Sequence, residues 1–249
     1  MQTRYHDLLE IARLVSWCVN RDYLIKTCLD HLSQQLSKRA RCVLMGGDEL
    51  KMSCWVGRYD CPMEQVSVCK ESIVWDVVTT GIAVNLTDLD QTKDYKHTLA
   101  EKVKIKAIIP VGYIDSVTQE EKRVGALIVD SGKEGIPISQ YDFEYLKVVG
   151  ELIGAAIGKA ELVSRLTDVY RKQEAIIKET SHNFRNCIAV VGGLSRRVTK
   201  AAIDSGLKRE AKMLYGAIKS LEMHLKHFEE AAGAMSMEVV KKEAQNHRR

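Results

Sequence analysis

The chain has 249 residues, of which 45% are hydrophobic and 28% charged, and this is enough material for one or two globular domains. Its formal net charge is only +4. That charge is spread along the chain, which argues against a nucleic-acid binder, because such proteins concentrate Lys and Arg in one patch. No apolar run reaches transmembrane length, and the N-terminus lacks the apolar core of a signal peptide. We therefore expect a cytoplasmic protein with no membrane insertion and no nucleic-acid partner.

The seven cysteines contain no C-x-x-C pair. Cys54, Cys61 and Cys69 could in principle hold a metal or sense redox state, but their spacing fits no common zinc pattern. We favour cysteines that serve as small apolar residues of strands and core, and we predict no metal site.

The first half of the chain alternates helix and strand signals. Residues 5–19 predict a helix with Leu8, Leu9, Ala12 and Val15 on one face. Asn20 and Asp22 are good caps for a second helix. The segments "RCVLM" and "KMSCWV" predict a hairpin around the turn 46–48. The apolar face of the second helix comprises Leu24, Ile25, Cys28, Leu29, Leu32 and Leu36.

The next elements predict more of an antiparallel sheet. "ESIVWDVVTTG" predicts a short helix ended by Gly81, and "IAVNL" predicts a strand. "KIKAIIPVGYID" and "KRVGALIVDSG" predict two strands joined by a polar loop. Gly125 lies within the second of these, where a missing side chain lets another backbone or a ligand approach closely. We interpret "DSGKEG" as a hairpin turn, not as a nucleotide-binding loop.

These segments, in this order, resemble the GAF family of small-molecule sensor domains over residues 20–160. The resemblance rests on "SIVWDVVTTGIAVNLTD", "IIPVGYID", "RVGALIVDSG" and "ISQYDFEYLKVVGELIGAAIGKAEL". It implies a ligand between the sheet and the loops, somewhere between Ser72 and Leu99. The ligand is unknown, and no haem or chromophore anchor is evident. His97 is better explained as a surface residue, and the domain could also bind nothing and act as a dimer-forming coupler.

From Ser139, a plausible N-cap with Asp142 three residues later, helix potential continues to about Lys200. A helix of this length needs a partner along it. Apolar residues repeat every four and three residues, as in coiled coils and bundles. The register is ambiguous at Leu166 and Thr167, which would permit a local break between modules. The predicted seam comprises Val149, Ile153, Ala156, Ala160 and Val163, then Tyr170, Gln173, Ile177, Thr180, Phe184, Cys187, Val191, Leu194 and Val198.

A second helix follows the turn "AAIDSG", in which Gly206 is the turn residue. Two such helices form an antiparallel hairpin, and two hairpins can bury their seams as a four-helix bundle. We therefore expect a homodimer. The second seam comprises Leu207, Ala211, Leu214, Ile218, Leu221, Leu225 and Phe228.

His182 lies two residues from seam positions on either side, a rotation of about 200° on a helix, so it is predicted to point away from the bundle core. Asn186 at i+4 and Arg185 at i+3 share its exposed face. Ala189 and Gly193 continue that face with almost no side chain, which suits docking of another protein.

The segment "TSHNFRNCIAVVGGLSRR" resembles the phosphoacceptor box of histidine kinases, and the resemblance covers residues 171–232. It implies that His182 accepts a phosphoryl group on a ring nitrogen and passes it to the Asp of a response regulator. It also implies that Asn186 orients water or the phosphoryl group and that Arg185 helps to position the partner.

Two departures from that pattern matter. The position after the histidine holds Asn183 instead of an acid, so we predict weak phosphorylation from ATP, since general-base help is worth about 100- to 10,000-fold. Cys187 replaces the usual proline, which predicts a straighter helix.

The sequence thus predicts an α+β, GAF-like antiparallel sheet with flanking helices, then a long signalling helix and a helical hairpin that forms a dimeric four-helix bundle. The predicted boundaries are 1–160 for the GAF-like domain, with its core at about 20–160, 161–170 for the junction, 171–232 for the hairpin and 233–249 for the tail. The tail is too short for an ATP-binding domain. We therefore expect no cofactor in this chain, with ATP acting through a missing domain of a longer kinase. The alternative is a catalytically silent dimeric regulator or scaffold that leaves His182 unused.

Overall fold

The computed structural model of the chain describes residues 2–18, 20–87, 105–201, 209 and 212–228. The chain divides into two compact units, Met1–Val163 and Ser164–Arg249. The junction predicted at 161–170 spans this division.

Helix α1 (Gln2–Trp17) packs through a face that differs from the predicted one. Ile11 is fully buried, whereas Leu9 is 41% exposed. Leu8 and Val15 pack against the same core as Ile11. The prediction of Leu9 on the buried face was therefore wrong. Apolar residues on α1 cover more than one side of the helix, and its tertiary contacts, which include Arg4 with Asp142 and the Val15 carbonyl with Lys159, select the buried side.

Helix α2 (Arg21–Leu36) begins at a polar cap, as the sequence predicts. The side-chain oxygen of Asn20 accepts a hydrogen bond from the Tyr23 amide at 3.1 Å, which satisfies one of the free amides at the helix start. Leu24, Ile25, Cys28, Leu29 and Leu32 are buried along one face.

Strands β1 (Arg39–Gly46) and β2 (Glu49–Val56) form the predicted hairpin. Gly47 occupies the turn with φ of +70°, a conformation that glycine adopts without strain. The register shifts between Cys42 and Val43, which marks a β-bulge in β2.

Strand β3 (Ser67–Val68), helix α3 (Ile73–Thr80) and strand β4 (Val84–Leu86) follow. The two-residue β3 was not predicted, since so short a segment carries no periodicity. Helix α3 ends where the sequence predicts. Gly81 has φ of +73°, and its amide donates to the Val77 carbonyl at 2.9 Å.

Strands β5 (Lys106–Ile114) and β6 (Glu121–Asp130) complete a six-stranded antiparallel sheet of order β3-β2-β1-β6-β5-β4. A Cβ at Gly125 would lie 2.0 Å from the Val43 carbonyl oxygen, so the predicted close approach is that of the neighbouring strand. "DSGKEG" does not join two strands. It forms a 3-10 turn, Gly132–Glu134, between β6 and the last helix of the unit, so the hairpin interpretation was wrong.

Helix α4 (Gln140–Ala201) starts where predicted, with the Asp142 amide donating to the Ser139 hydroxyl at 3.1 Å. The helix is continuous through Leu166 and Thr167, so the break that the ambiguous register would have permitted does not occur. Three glycines at four-residue spacing let α4 lie directly on β5. An added Cβ would meet Ile109 at 2.6 Å, the Gly112 carbonyl oxygen at 1.8 Å and the Tyr113 ring at 2.6 Å; the glycines are Gly150, Gly154 and Gly158.

The sheet of the first unit carries a hydrophobic cluster on each face. One cluster joins α1, α2 and the first part of α4 to inward residues such as Cys42, Val111 and Leu127. The other joins α3 to Val43 and Ile128 on the opposite face. This unit therefore buries its apolar side chains within one chain.

In the second unit, residues 212–228 are helical and pack antiparallel to α4. A Cβ at Gly192 would lie 3.4 Å from Ile218, and the Arg196 guanidinium lies 5.8 Å from the Tyr215 ring, so the contacts run in opposite directions. The predicted turn at Gly206, and the seam positions Leu207 and Ala211, lie outside the described residues.

The face of α4 that is buried in this unit consists of Ser181, Gly192 and Ser195. It is adjacent to the predicted apolar seam and does not coincide with it. A Cβ at Gly192 would make only an ordinary van der Waals contact with Ile218, so this packing does not require glycine there, although alanine would favour the helix by about 1 kcal/mol.

Among the described residues, no helix is both long enough and apolar enough to cross a bilayer.

Candidate functional site

His182 is exposed on α4, as are the predicted seam positions Thr180 and Phe184, and it follows the buried Ser181. One helical turn later, the Asn186 side-chain nitrogen lies 3.2 Å from its Nε2. When the ring proton is on Nδ1, Nε2 accepts a hydrogen bond from the Asn186 amide. The structure therefore brings together the two residues that the sequence assigns to phosphoryl transfer.

The surface around His182 is open. Asn183 and Arg185 are exposed beside it, and Ala189 is exposed one turn further along. An added Cβ at Gly193 would meet nothing within 4 Å. Beyond Arg185 and Asn186, this face of α4 continues with the small residues Ala189 and Gly193, which leaves room for a docking protein.

The part of the predicted α4 seam in the first unit is buried, with Val149, Ile153 and Ala156 in the core, whereas the part in the second unit is mostly solvent-exposed within one chain. Phe184 is 57% exposed and Leu194 is 54% exposed. Residues 212–228 present exposed apolar residues as well, with Leu221 at 54%. The other large apolar members of the predicted seams that are exposed are Tyr170, Val191, Val198, Leu214 and Phe228.

This arrangement can support nucleophilic chemistry at an imidazole. An imidazole nitrogen that carries no proton has a free electron pair and can attack an electrophile. Asn186 is placed to hold the ring or a group bound to it. Asn183 is exposed beside His182 and carries an uncharged amide.

The predicted ligand region of the first unit, Ser72 to Leu99, is described only as far as residue 87. In that part, α3 packs on the sheet through Ile73, Val74 and Val77. His97 and the rest of the predicted region lie outside the described residues.

A buried charged cluster at the ends of β1 and β6 was not predicted. Arg41 contacts Asp130 at 2.5 Å, and Arg39 contacts the same carboxylate at 2.8 Å. Burial alone would raise the pKa of Asp130, but Arg41 and Arg39 hold it below its usual value. Burial, and then repulsion by Arg41, lower the pKa of Lys106 to about 8.

The charged cluster around Asp130 connects several segments of the first unit. The Asp130 carboxylate also accepts a hydrogen bond from the Gly132 amide at 2.8 Å, and the Arg39 side chain donates to the Arg58 carbonyl at 2.7 Å. It therefore ties β1 to β6 and to two loops. The sequence does show that Arg39 and Arg41, two residues apart, share one side of a strand. It does not show their partner, because Asp130 is 89 residues from Arg41.

An open cleft of about 500 Å³ lies beside this cluster, against the 3-10 turn. Asp60 and Lys133, which line it, pair at 2.7 Å. Its lining carries both signs of charge, so it indicates no ligand class. Within the described part of the chain, no group of three or more His, Cys, Asp or Glu could hold a metal ion.

Comparison with known proteins identifies the fold of the first unit. No protein-family model matches the chain, and no curated protein sequence matches it. Solved structures do match. The GAF domain of a phosphoenolpyruvate-protein phosphotransferase from Acinetobacter superposes with a TM-score of 0.56 at 16% identity, covering 66% of this chain and 97% of that one. The first unit has a GAF-like fold.

Two further solved structures that match this chain have names that describe different functions. Residues 122 to 287 of a methyl-accepting chemotaxis protein match with a TM-score of 0.51 at 16% identity, over 61% of this chain and 98% of that one. A free methionine-R-sulfoxide reductase from Neisseria meningitidis matches with a TM-score of 0.53 at 14% identity, over 64% and 91%. One fold thus serves a chemoreceptor and an enzyme, so function must be argued from the residues of this chain.

Proposed function

We propose that this chain is the sensory and phosphoacceptor region of a two-component histidine kinase, in which the phosphorylation state of His182 controls a response regulator. The observation that carries the proposal is the His182–Asn186 pair at 3.2 Å on an exposed, small-residue helix face. The apolar seam lies on another side of the same helix, so a bundle can form while the imidazole remains accessible.

The sensory part of the proposal draws on the GAF-like fold and on α4. A chemotaxis protein with the same fold supports a signalling role for the first unit. Helix α4 begins in that unit and continues without interruption to Ala201, past His182. A small ligand that favoured one packing of this helix over another would change the output at His182.

Homodimerisation is the second part of the proposal. Phe184, Leu194 and Leu221 are each more than half exposed in one chain. A second copy of the same hairpin would cover these residues by forming a four-helix bundle. A two-fold arrangement needs only one self-complementary surface, so a homodimer is the simplest assembly that removes this apolar area from water.

In the proposed reaction, the ring nitrogen of His182 attacks phosphorus, and the bond from phosphorus to the leaving oxygen breaks. Asn186 holds the phosphoryl group or the water that later removes it. Arg185 contributes positive charge near the phosphoryl oxygens. The phosphoryl group then passes to a receiver-domain Asp, with ATP supplied through a separate catalytic domain.

Reverse phosphotransfer tests the proposal without that catalytic domain. Receiver domains from the source organism would be loaded with labelled phosphate from acetyl phosphate and mixed with this chain. We expect acid-labile, base-stable label on the chain, with His182→Gln reducing it at least 100-fold. His224→Gln is the matched control, because His224 is also exposed on a helix of the same unit. Label that survives in His182→Gln, or no label from any receiver domain, would contradict the proposal.

Asn183 provides a second test. Asn183→Asp should speed phosphorylation of His182 by a catalytic domain supplied with ATP, by up to about 100-fold, because a carboxylate can polarise the ring. The same change at Asn186 is the control and should slow transfer. An unchanged rate in Asn183→Asp would show that the missing acid does not limit the reaction.

The alternative function is a dimeric regulator that binds a signalling partner without using His182. Asn183, which removes the usual acid, favours this alternative. In that case, His182→Gln would leave partner binding unchanged, and no phosphohistidine would form.

A further inference from the structure

Two cysteines face each other across the β1–β2 hairpin. Cys42 and Cys54 are directly opposed in the strand register. Residues opposed in an antiparallel pair have Cα atoms about 4.5 or 5.5 Å apart, within the range of about 4.4–6.8 Å that disulfides span. Both side chains point to the face that α2 covers, since both belong to the same hydrophobic cluster. The bulge beside Cys42 adds local freedom to adjust.

The two thiols differ in access. Cys42 is fully buried, whereas Cys54 is partly exposed, with its Sγ 3.8 Å from the Asp22 carbonyl at the start of α2. A small oxidant can therefore reach Cys54 first, and Cys42 lies directly across from it. Neither cysteine is close to His182 along the chain, so this feature is independent of the proposed function.

We propose that Cys42 and Cys54 are an oxidation site at which hydrogen peroxide forms a reversible cross-strand disulfide. No residue of the His182 face takes part. The bond would fix β1 to β2 beneath α2, next to the first of the two hydrophobic clusters.

The reaction balances with one peroxide. The Cys54 thiolate attacks one peroxide oxygen, the O–O bond breaks, and the departing oxygen leaves as water after taking a proton. Cys54 is then a sulfenic acid. The Cys42 sulfur attacks the Cys54 sulfur, the S–O bond breaks, and the hydroxyl leaves as a second water with the Cys42 proton. Two thiols are oxidised by two electrons, and the peroxide is reduced to two waters.

The environment of the two cysteines slows their oxidation. Burial raises the pKa of the Cys54 thiol, and burial also raises that of Cys42. The thiolate is the reactive form, so the rate should increase by close to tenfold per pH unit through the neutral range. The site would therefore respond to sustained peroxide exposure and not to brief pulses.

The test is peroxide treatment of the folded chain carrying Cys187→Ser, which removes an exposed thiol that could link two chains. Remaining thiols would be alkylated after unfolding, and peptides would be mapped by mass spectrometry. We expect the Cys42–Cys54 linkage at no less than ten times the level of any other pair, and complete reversal by dithiothreitol. Cys54→Ser should abolish the linkage, and Cys61→Ser, at a partly exposed cysteine outside the pair, should leave it unchanged.

Other products would overturn the proposal. Linkage of Cys28 to Cys18 or to Cys54 would show that the α2 side of the cluster reacts instead. A sulfinic acid at Cys54 with Cys42 still alkylated, or two free thiols after prolonged exposure, would show that the pair cannot close. Circular dichroism of each variant before treatment separates these outcomes from loss of the fold, and the mapping of the Cys187→Ser chain does not depend on the Cys54 variant.

Discussion

The two units of this chain solve the burial of apolar side chains in different ways. The GAF-like unit encloses residues such as Leu29, Ile109 and Leu127 completely between its sheet and its helices. The helical unit leaves Phe184 and Leu194 about half exposed. A sheet covered by helices makes a core within one chain, whereas a two-helix hairpin has an uncovered side. The exposed apolar residues of the second unit are the reason for proposing a partner copy there.

Two glycines of α4 show the same difference in packing between the two units. On α4, a Cβ at Gly154 would lie 1.8 Å from the Gly112 carbonyl oxygen, whereas a Cβ at Gly193 would meet nothing within 4 Å. The first glycine is required by packing on the sheet. The second costs helix stability although none of the described residues would obstruct a side chain there, which is consistent with a role in docking.

The largest effect should come from the charged cluster of the first unit. Asp130→Asn removes the carboxylate that Arg39 and Arg41 share, and breaking a buried pair typically costs about 3–5 kcal/mol of unfolding free energy. Urea unfolding followed by tryptophan fluorescence measures this, because all three tryptophans lie in the first unit.

A control variant and the dependence of stability on pH both test the role of Asp130. Asp60→Asn, which breaks an exposed pair with Lys133, should have a far smaller effect. The pKa of Asp130 is lowered in the folded state. Its contribution is therefore present above the unfolded pKa of about 3.9 and is lost as the pH falls through the lower folded value. Wild type and variant should converge in acid, and a constant difference down to that pH would contradict the assignment.

Next in size is Gly154→Ala, which should destabilise the first unit by about 3 kcal/mol, the upper end for overpacking, because its Cβ would collide with a strand backbone. The same tryptophan-monitored unfolding measures it. A change below 1 kcal/mol would mean that α4 can move away from β5 at little cost.

A smaller effect, specific to the second unit, is expected at the seam. Leu194→Glu places a charge on the exposed apolar face and should weaken dimerisation at least tenfold, measured by analytical ultracentrifugation. Ala189→Glu, on the His182 side of the same helix, is the matched control. It should leave the dimer intact and slow phosphotransfer by blocking the docking face. Equal loss of dimer in both variants would refute the division of α4 into two faces.

The smallest expected effect is a gain in stability. Gly193→Ala should stabilise the helical unit by up to about 1 kcal/mol, since alanine favours helix and the added methyl meets nothing. Thermal unfolding followed by far-ultraviolet circular dichroism measures this. If the methyl obstructs docking, phosphotransfer should fall while stability rises, whereas a joint fall would place Gly193 in a packed contact.

The sequence by itself determined most of the local elements of this protein, including the capped ends of its helices, and the spacing that places His182 one helical turn from Asn186. Cap residues such as Asn20 and Gly81 act within a few residues of the helix ends, and helical spacing relates His182 to Asn186 directly. Such signals depend only on neighbours along the chain, so they can be read without a fold.

Only the tertiary structure decided the contacts between distant segments. It selected Ile11 over Leu9 as the buried residue of α1, brought Asp130 to Arg39 and Arg41, and placed Gly192 instead of the predicted seam against Ile218. Each outcome depends on which surface a second element presents at that point. Periodicity gives the apolar side of a helix, but steric fit and charge pairing between elements determine which of its residues are buried.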